Sequence, residues 1–137
     1  MELIQENKLY KVYTLNLLGN HTDRKFAANI NHFNKNIGDV HLNVLSPNAK
    51  AGNHYHTKVK EYFINAGPGN LILHLRDQDN NKIQKIIMTP ASLDEMKSYN
   101  VNLRVPHMVE NPNSHNVAII TIVDKDNPKD MFSSNIY

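Results

Sequence analysis

The sequence contains no cysteine among its 137 residues, which excludes disulfides and thiolate metal sites. Any metal bound by this chain is therefore held by imidazole, carboxylate or water, with eight histidines to supply nitrogen ligands. No apolar stretch approaches the length needed to span a bilayer. The N-terminus, MELIQENKLYKVY, lacks the basic start and apolar run of a leader. The expectation is a soluble, cytoplasmic protein with no membrane partner. There is also no continuous basic stripe: 15 Lys and Arg are scattered among 13 Asp and Glu, for a net charge of +2. Nucleic acid is therefore not an expected partner. Repeats and low-complexity tracts are absent, apart from a mild richness in Asn. The length suffices for one domain with a real core and not for two ordinary ones, so residues 1–137 are read as a single domain.

Helix signals are also scarce. The best is TPASLDEMKSY, with a cap at Thr89 or Ser92, and a loop or a single turn suits it equally. Strand signals are plentiful. In DVHLNVLSP, Val40, Leu42 and Val44 alternate with His41 and Asn43, the period of a half-buried strand, and Ser46, Pro47 and Asn48 close it. EYFINAGPGN reads as a strand ending in a Gly-Pro-Gly turn. LILHLRDQDNNKIQKIIM reads as a hairpin about a polar turn at Asp77 to Asn81. NVAIITIVD is a continuous β-branched apolar run, as expected of a central strand covered on both faces. The class is all-β, a sandwich or barrel.

The stretch AGNHYHTKVKE, from Ala51 to Glu61, carries the candidate chemistry. In a strand His54 and His56 project to one face while Tyr55 points away. The four residues TKVK are read as a tight turn that returns the next strand alongside the first and sets Glu61 near the imidazoles. A fourth group is offered by VPHMVEN, where Pro106 fixes the chain entering His107. His21, His32, His41, His74 and His115 belong to no such constellation and are read as surface or hydrogen-bonded residues. Tyr62, Phe63 and Ile64 read as packing.

GNHYHTKVKEYFINAG, from Gly52 to Gly67, resembles the first motif of the cupin superfamily, and PHMVEN, from Pro106 to Asn111, resembles its second, with a hairpin between them. The resemblance implies a small double-stranded β-barrel of jelly-roll type. It also implies that His54, His56, Glu61 and His107 bind one divalent transition metal such as Zn, Fe, Ni or Mn. Two departures stand out. Five residues rather than six separate Glu61 from Gly67, and the glycine usual shortly before the last histidine is missing, so Asn100 or Asn102 is expected to take the left-handed turn. Within the superfamily, GNHYHTK and the tail VDKDNPKDMF are similar to the cupin domain of capsular-polysaccharide enzymes that process nucleotide-sugars.

Three imidazoles and a carboxylate leave open positions on a divalent ion, which makes Lewis-acid chemistry available. The leading expectation is epimerisation or isomerisation of a nucleotide-linked keto-sugar. An iron-dependent dioxygenase and a non-catalytic ligand-binding module are the alternatives. Asn111 is expected to brace the turn that presents His107. Lys58, Arg76 and Arg104 are expected to orient an anionic substrate. The N-terminal segment KLYKVYTLNLL alternates well enough to join a neighbour's sheet, so a homodimer is expected.

Overall fold

The computed structural model describes residues 2–15, 17–18, 26–27 and 37–137. The strands in chain order are β1 (Glu2–Glu6), β2 (Tyr10–Thr14), β3 (Leu17–Leu18), β4 (Phe26–Ala27), β5 (Asp39–Leu45), β6 (Lys50–Tyr55), β7 (Glu61–Gly67), β8 (Leu71–Asp77), β9 (Lys82–Met88), β10 (Lys97–Val101), β11 (His107–Glu110), β12 (Val117–Val123) and β13 (Phe132–Ser133). They form a six-stranded sheet in the order β1-β2-β10-β7-β12-β5, a five-stranded sheet in the order β13-β6-β11-β8-β9, and a small β3-β4 pair. The described residues contain no helix; TPASLDEMKSY is a loop running into β10, with Ser92 Oγ accepting from the amides of Asp94 and Glu95. His21 and His32 lie outside the described residues.

The core lies between the two large sheets. From the five-stranded sheet, Leu71, Leu73 and Leu75 turn inward at alternate positions of β8, each fully buried. They meet Val12, Phe63, Tyr99, Val117 and Ile119 of the opposing sheet. The β8–β9 hairpin pairs from Leu71↔Met88 to Asp77↔Lys82, in the register its alternation predicts. β12 is flanked by β7 and β5, so the apolar run is an interior strand. Its outward Ala118 and Ile120 are only half-buried, and cover on both faces is incomplete.

Three expectations are corrected here. β5 forms where predicted, but its apolar set faces outward: Val40, Leu42 and Val44 are 51%, 62% and 62% exposed. Pairing sets this orientation, because His41 stands opposite Thr121 and Asn43 opposite Ile119, and Thr121 and Ile119 face the interior. Full burial of each such aliphatic side chain is worth about 1.5–3 kcal/mol, so the strand forgoes a substantial gain. Second, β6 and β7 do not lie side by side. They belong to different sheets, and residues 56–60 cross from one layer to the other. Third, β2 is paired on both sides, by β1 and β10; the free N-terminal edge is β1, whose five residues are all exposed.

β6 is irregular where it meets β11. His107 pairs with His54 but Met108 with Gly52, so one residue of β6 is bulged out. Gly52 has φ of +113°, and a Cβ there would stand 2.9 Å from the His107 carbonyl oxygen. Neither feature admits a side chain. Gly52→Ala is therefore expected to destabilise the protein by about 1–3 kcal/mol, read as a lower urea midpoint, and to reduce its metal content because His54 and His107 flank the bulge. Unchanged values of both would show that the bulge relaxes freely.

Candidate metal centre

His54, His56, Glu61 and His107 come together at one end of the sandwich, with one ligand atom from each lying within 4.8 Å of all the others. The imidazoles come from the five-stranded sheet: His54 near the end of β6, His56 just beyond it, and His107 at the start of β11. The carboxylate comes from the first residue of β7 in the facing sheet. Ring centroids are 4.9 Å apart for His54–His56 and for His54–His107. Tyr55 points away and stacks on Phe132, as strand alternation requires.

The hydrogen bonding leaves a place for a cation. His107 Nδ1 meets the Val105 carbonyl oxygen at 2.9 Å while its Nε2 lies 3.0 Å from Glu61 Oε2. His56 repeats the pattern, with Nδ1 against the Asp130 carbonyl oxygen and Nε2 3.0 Å from Glu61 Oε1. A neutral imidazole has one N–H, so it satisfies its carbonyl and then turns a bare lone pair toward the carboxylate. His56 Nε2 is buried and lacks an aligned hydrogen bond despite its proximity to Glu61. Such a lone pair facing a carboxylate calls for a positive charge between them, either a proton or a metal ion.

Electrostatics agree. Burial alone would raise the Glu61 pKa, but His107 and His56 outweigh it and hold the carboxyl well below the usual range. Burial, then repulsion from His107, lowers His54 to about 4, so its imidazole is neutral over the physiological range. At His56 burial pulls downward, but the Glu61 carboxylate and the Asp130 carbonyl outweigh it and raise the pKa. One carboxylate, one imidazole that burial favours in its neutral form and two imidazoles whose Nδ1 faces a main-chain carbonyl form a donor set that fits a divalent transition metal.

The crossing loop that carries His56 is held by Asp130, which the sequence reading passed over. Its carboxylate accepts from the amides of Thr57 (3.1 Å), Lys58 (2.8 Å) and Val59 (2.8 Å) and from the Thr57 hydroxyl (2.6 Å). Burial opposes ionisation there, but these four donors prevail and depress its pKa. Asp130 lies in the tail VDKDNPKDMF, but nothing local assigns it this role, because its partners lie more than seventy residues away in sequence.

The other candidates are placed differently. Asn111 is fully buried, but its side-chain amide donates to the carbonyls of Leu45, Ser46 and His115. It thus ties the turns at the far end of β11, not the turn before His107. The left-handed residue before His107 is Arg104, φ 65°, in place of Asn100 or Asn102. Arg104 and Arg76 line a groove with Lys8 and Asp77 that contains none of the four ligands, and Arg76 donates to the carbonyls of Asn135 and Ile136. Lys58 lines neither cavity at the cluster. One of these cavities, about 100 Å³, is lined by His54, Glu61 and His107 together with Leu45, Phe63 and Val109, with His41, Asn43 and Thr121 as polar wall residues. The other, about 140 Å³, reaches His56 and Glu61 from the side of Val59, Lys125 and Met131.

Because the four side chains come from both sheets, a metal held by them would be linked to folding. With free metal a hundredfold above Kd, chelation is expected to remove about 2.7 kcal/mol of stability and lower Tm by several degrees. Falling pH should shrink this difference as protons compete at the raised His56, a loss that sets in as pH falls through its folded-state value. His56→Ala and His107→Ala should lack bound metal, while His115→Ala, whose Nε2 meets the Pro68 carbonyl oxygen at 2.9 Å and which is outside the four-residue cluster, keeps it. Full metal content in the first two would refute the centre.

No family model and no curated protein sequence matches this chain. Solved structures do. The capsular polysaccharide assembling protein CapF of Staphylococcus aureus matches over 73% of this chain with TM-score 0.65 and 20% identity, and this chain spans 29% of that protein. WlaRA, a TDP-fucose-3,4-ketoisomerase of Campylobacter jejuni, matches with TM-score 0.71 and 13% identity over 90% of this chain and 87% of its own. A mutant of the 3,4-ketoisomerase QdtA of Thermoanaerobacterium thermosaccharolyticum, in complex with TDP-4-keto-6-deoxyglucose, matches with TM-score 0.75 and 10% identity over 93% and 88%. At these identities the likeness is one of fold, and with the all-strand architecture and the facing antiparallel sheets it shows that this chain has the cupin fold.

Proposed function

We propose that this chain is a metal-dependent cupin isomerase or epimerase that moves a carbon-bound proton in a nucleotide-linked keto-sugar. The observation that carries the reading is the ligand set itself: His54, Glu61 and His107 open directly onto a cavity with one apolar and one polar wall. Support comes from the two ketoisomerases of the same fold, which match this chain over nearly their whole length. A divalent ion bound there would act as a Lewis acid toward a substrate carbonyl oxygen.

The chain's own residues would do the rest. The neutral His54 and the tautomer-fixed His56 and His107 hold the cation together with the ionised Glu61. Phe63, Val109 and Ile119 keep water from one side of the cavity, and His41, Asn43 and Thr121 offer hydrogen bonds on the other. The proposal includes a homodimer formed through the exposed edge of β1, where Leu3 and Ile4 are 43% and 46% exposed. Light scattering should return twice the 15.7 kDa chain mass, and a monomer mass at working concentration would remove this part.

The activity is tested in D2O with TDP-4-keto-6-deoxyglucose. Protein carrying metal is expected to exchange a carbon-bound proton of the sugar for deuterium, and chelated protein is not. Equal rates in the two samples would overturn the reading. Bound iron with substrate-dependent oxygen uptake would replace it with the dioxygenase reading, since that chemistry uses the same donor set.

A further inference from the structure

The inward turn of β5 is unexplained by packing. Its aliphatic side chains Val40, Leu42 and Val44 point to solvent, while His41 and Asn43, paired opposite Thr121 and Ile119, line the cavity at the ligand cluster and stay partly open to solvent. A one-residue slip would reverse this and bury the apolar set. Local sequence pattern and final structure disagree at this strand, and such disagreements concentrate at functional sites.

His41 is the residue this orientation delivers. It lies on the walls of both cavities that reach the ligand cluster, one shared with His54, Glu61 and His107 and the other with His56 and Glu61. Its Nδ1 is 3.1 Å from Asp39 Oδ2, two residues away on the same face of the strand. A carboxylate at Nδ1 draws the single proton of a neutral imidazole to that nitrogen and leaves the Nε2 lone pair free. Of the other imidazoles in the cavities, His54 belongs to the proposed ligand set, and His56 and His107 have one nitrogen against a carbonyl and the other against Glu61. Lys125 lines only the second cavity, which His54 and His107 do not reach.

We propose that His41, oriented by Asp39, is the catalytic base that takes the proton from the carbon beside the substrate carbonyl and returns it to the sugar. The assignment rests on the isomerase reading above. In the first step the C–H bond breaks, its electron pair forms a carbon–carbon double bond, and the carbonyl π pair moves onto oxygen. The proton goes to His41 Nε2. In the second step Nε2–H returns a proton to the former carbonyl carbon, the hydroxyl proton of the first carbon passes to the former carbonyl oxygen, and the carbonyl re-forms at the first carbon. No oxidant, reductant or further reactant is consumed.

The test compares the full chain with His41→Ala and Asp39→Asn, all loaded with Zn²⁺, using deuterium exchange into TDP-4-keto-6-deoxyglucose. His41→Ala should lose roughly 100-fold or more of the exchange rate, the scale of general acid–base catalysis, while keeping its metal content and its KM. Added imidazole should restore part of the lost rate, which it would not do for a structural defect. Long-range ¹H–¹⁵N spectra of the zinc-loaded protein should show His41 as the Nδ1–H tautomer, and Asp39→Asn should mix the tautomers and slow exchange less than His41→Ala does. A wild-type chain that exchanges nothing overturns the isomerase reading and with it this role. An active wild type whose His41→Ala variant keeps its rate within about threefold, or loses metal and rate together, overturns the role of His41 alone.

Discussion

A single buried carboxylate joins the two sheets. Isolated in the interior, the ionised Glu61 would be costly to desolvate; here His56 and His107 each present Nε2 at 3.0 Å. Both imidazoles arrive from the opposite sheet with their other nitrogen committed to a main-chain carbonyl. The charge balance of this end of the barrel therefore depends on a cation, proton or metal, shared among side chains of both layers. The irregular features nearby serve that convergence. The bulge at Gly52 sets His54 opposite His107, and the left-handed Arg104, whose amide donates to the His56 carbonyl at 2.6 Å, brings the incoming chain against the His56 segment.

β5 shows the opposite balance, where function and burial pull apart. Among the described residues β5 pairs with one strand, β12, which fixes its orientation. Its pairing places polar side chains over the cavity and aliphatic ones in solvent. Fully apolar lining on that side would close the cavity and add burial, but it would leave the ligand cluster facing a surface with no hydrogen-bonding groups. The polar wall of His41, Asn43 and Thr121 lets a hydroxylated ligand fit without stranding its own polar groups.

Much of the centre was legible because its signals are local or carried by resemblance. His-x-His in a strand puts two imidazoles on one face whatever the tertiary fold, and Glu61 and His107 sit where the cupin motifs place their counterparts. The strand boundaries and the β8–β9 register followed from alternation and turn chemistry. What was not legible depends on long-range pairing. Nothing in TKVK distinguishes a turn within a sheet from a crossing between sheets, so the layer to which Glu61 belongs had to come from the structure. Alternation at β5 announces a two-faced strand without saying which face is inside, and hydrophobicity points the wrong way. Asn100 and Asn102 are better left-handed residues than Arg104 by intrinsic preference, but Asn100 donates to the Glu61 and Val101 carbonyls and Asn102 to those of Asn7 and Lys8, so both side chains are already engaged.

Asp130 extends this to the support of the site from outside its motifs. Its carboxylate gathers the amides of residues 57–59 while its own carbonyl takes the His56 Nδ1 proton, so one residue sets both the path of the crossing loop and the tautomer of a ligand. Asp130 is in turn placed by its amide bond to the Asn127 carbonyl and by the pairing of β13 with β6. The aim of His56 at Glu61 therefore depends on the C-terminal segment being docked on β6. A cation bound there would meet an arrangement that the distant tail supports, so its affinity would depend on how firmly that tail is held as well as on the four side chains.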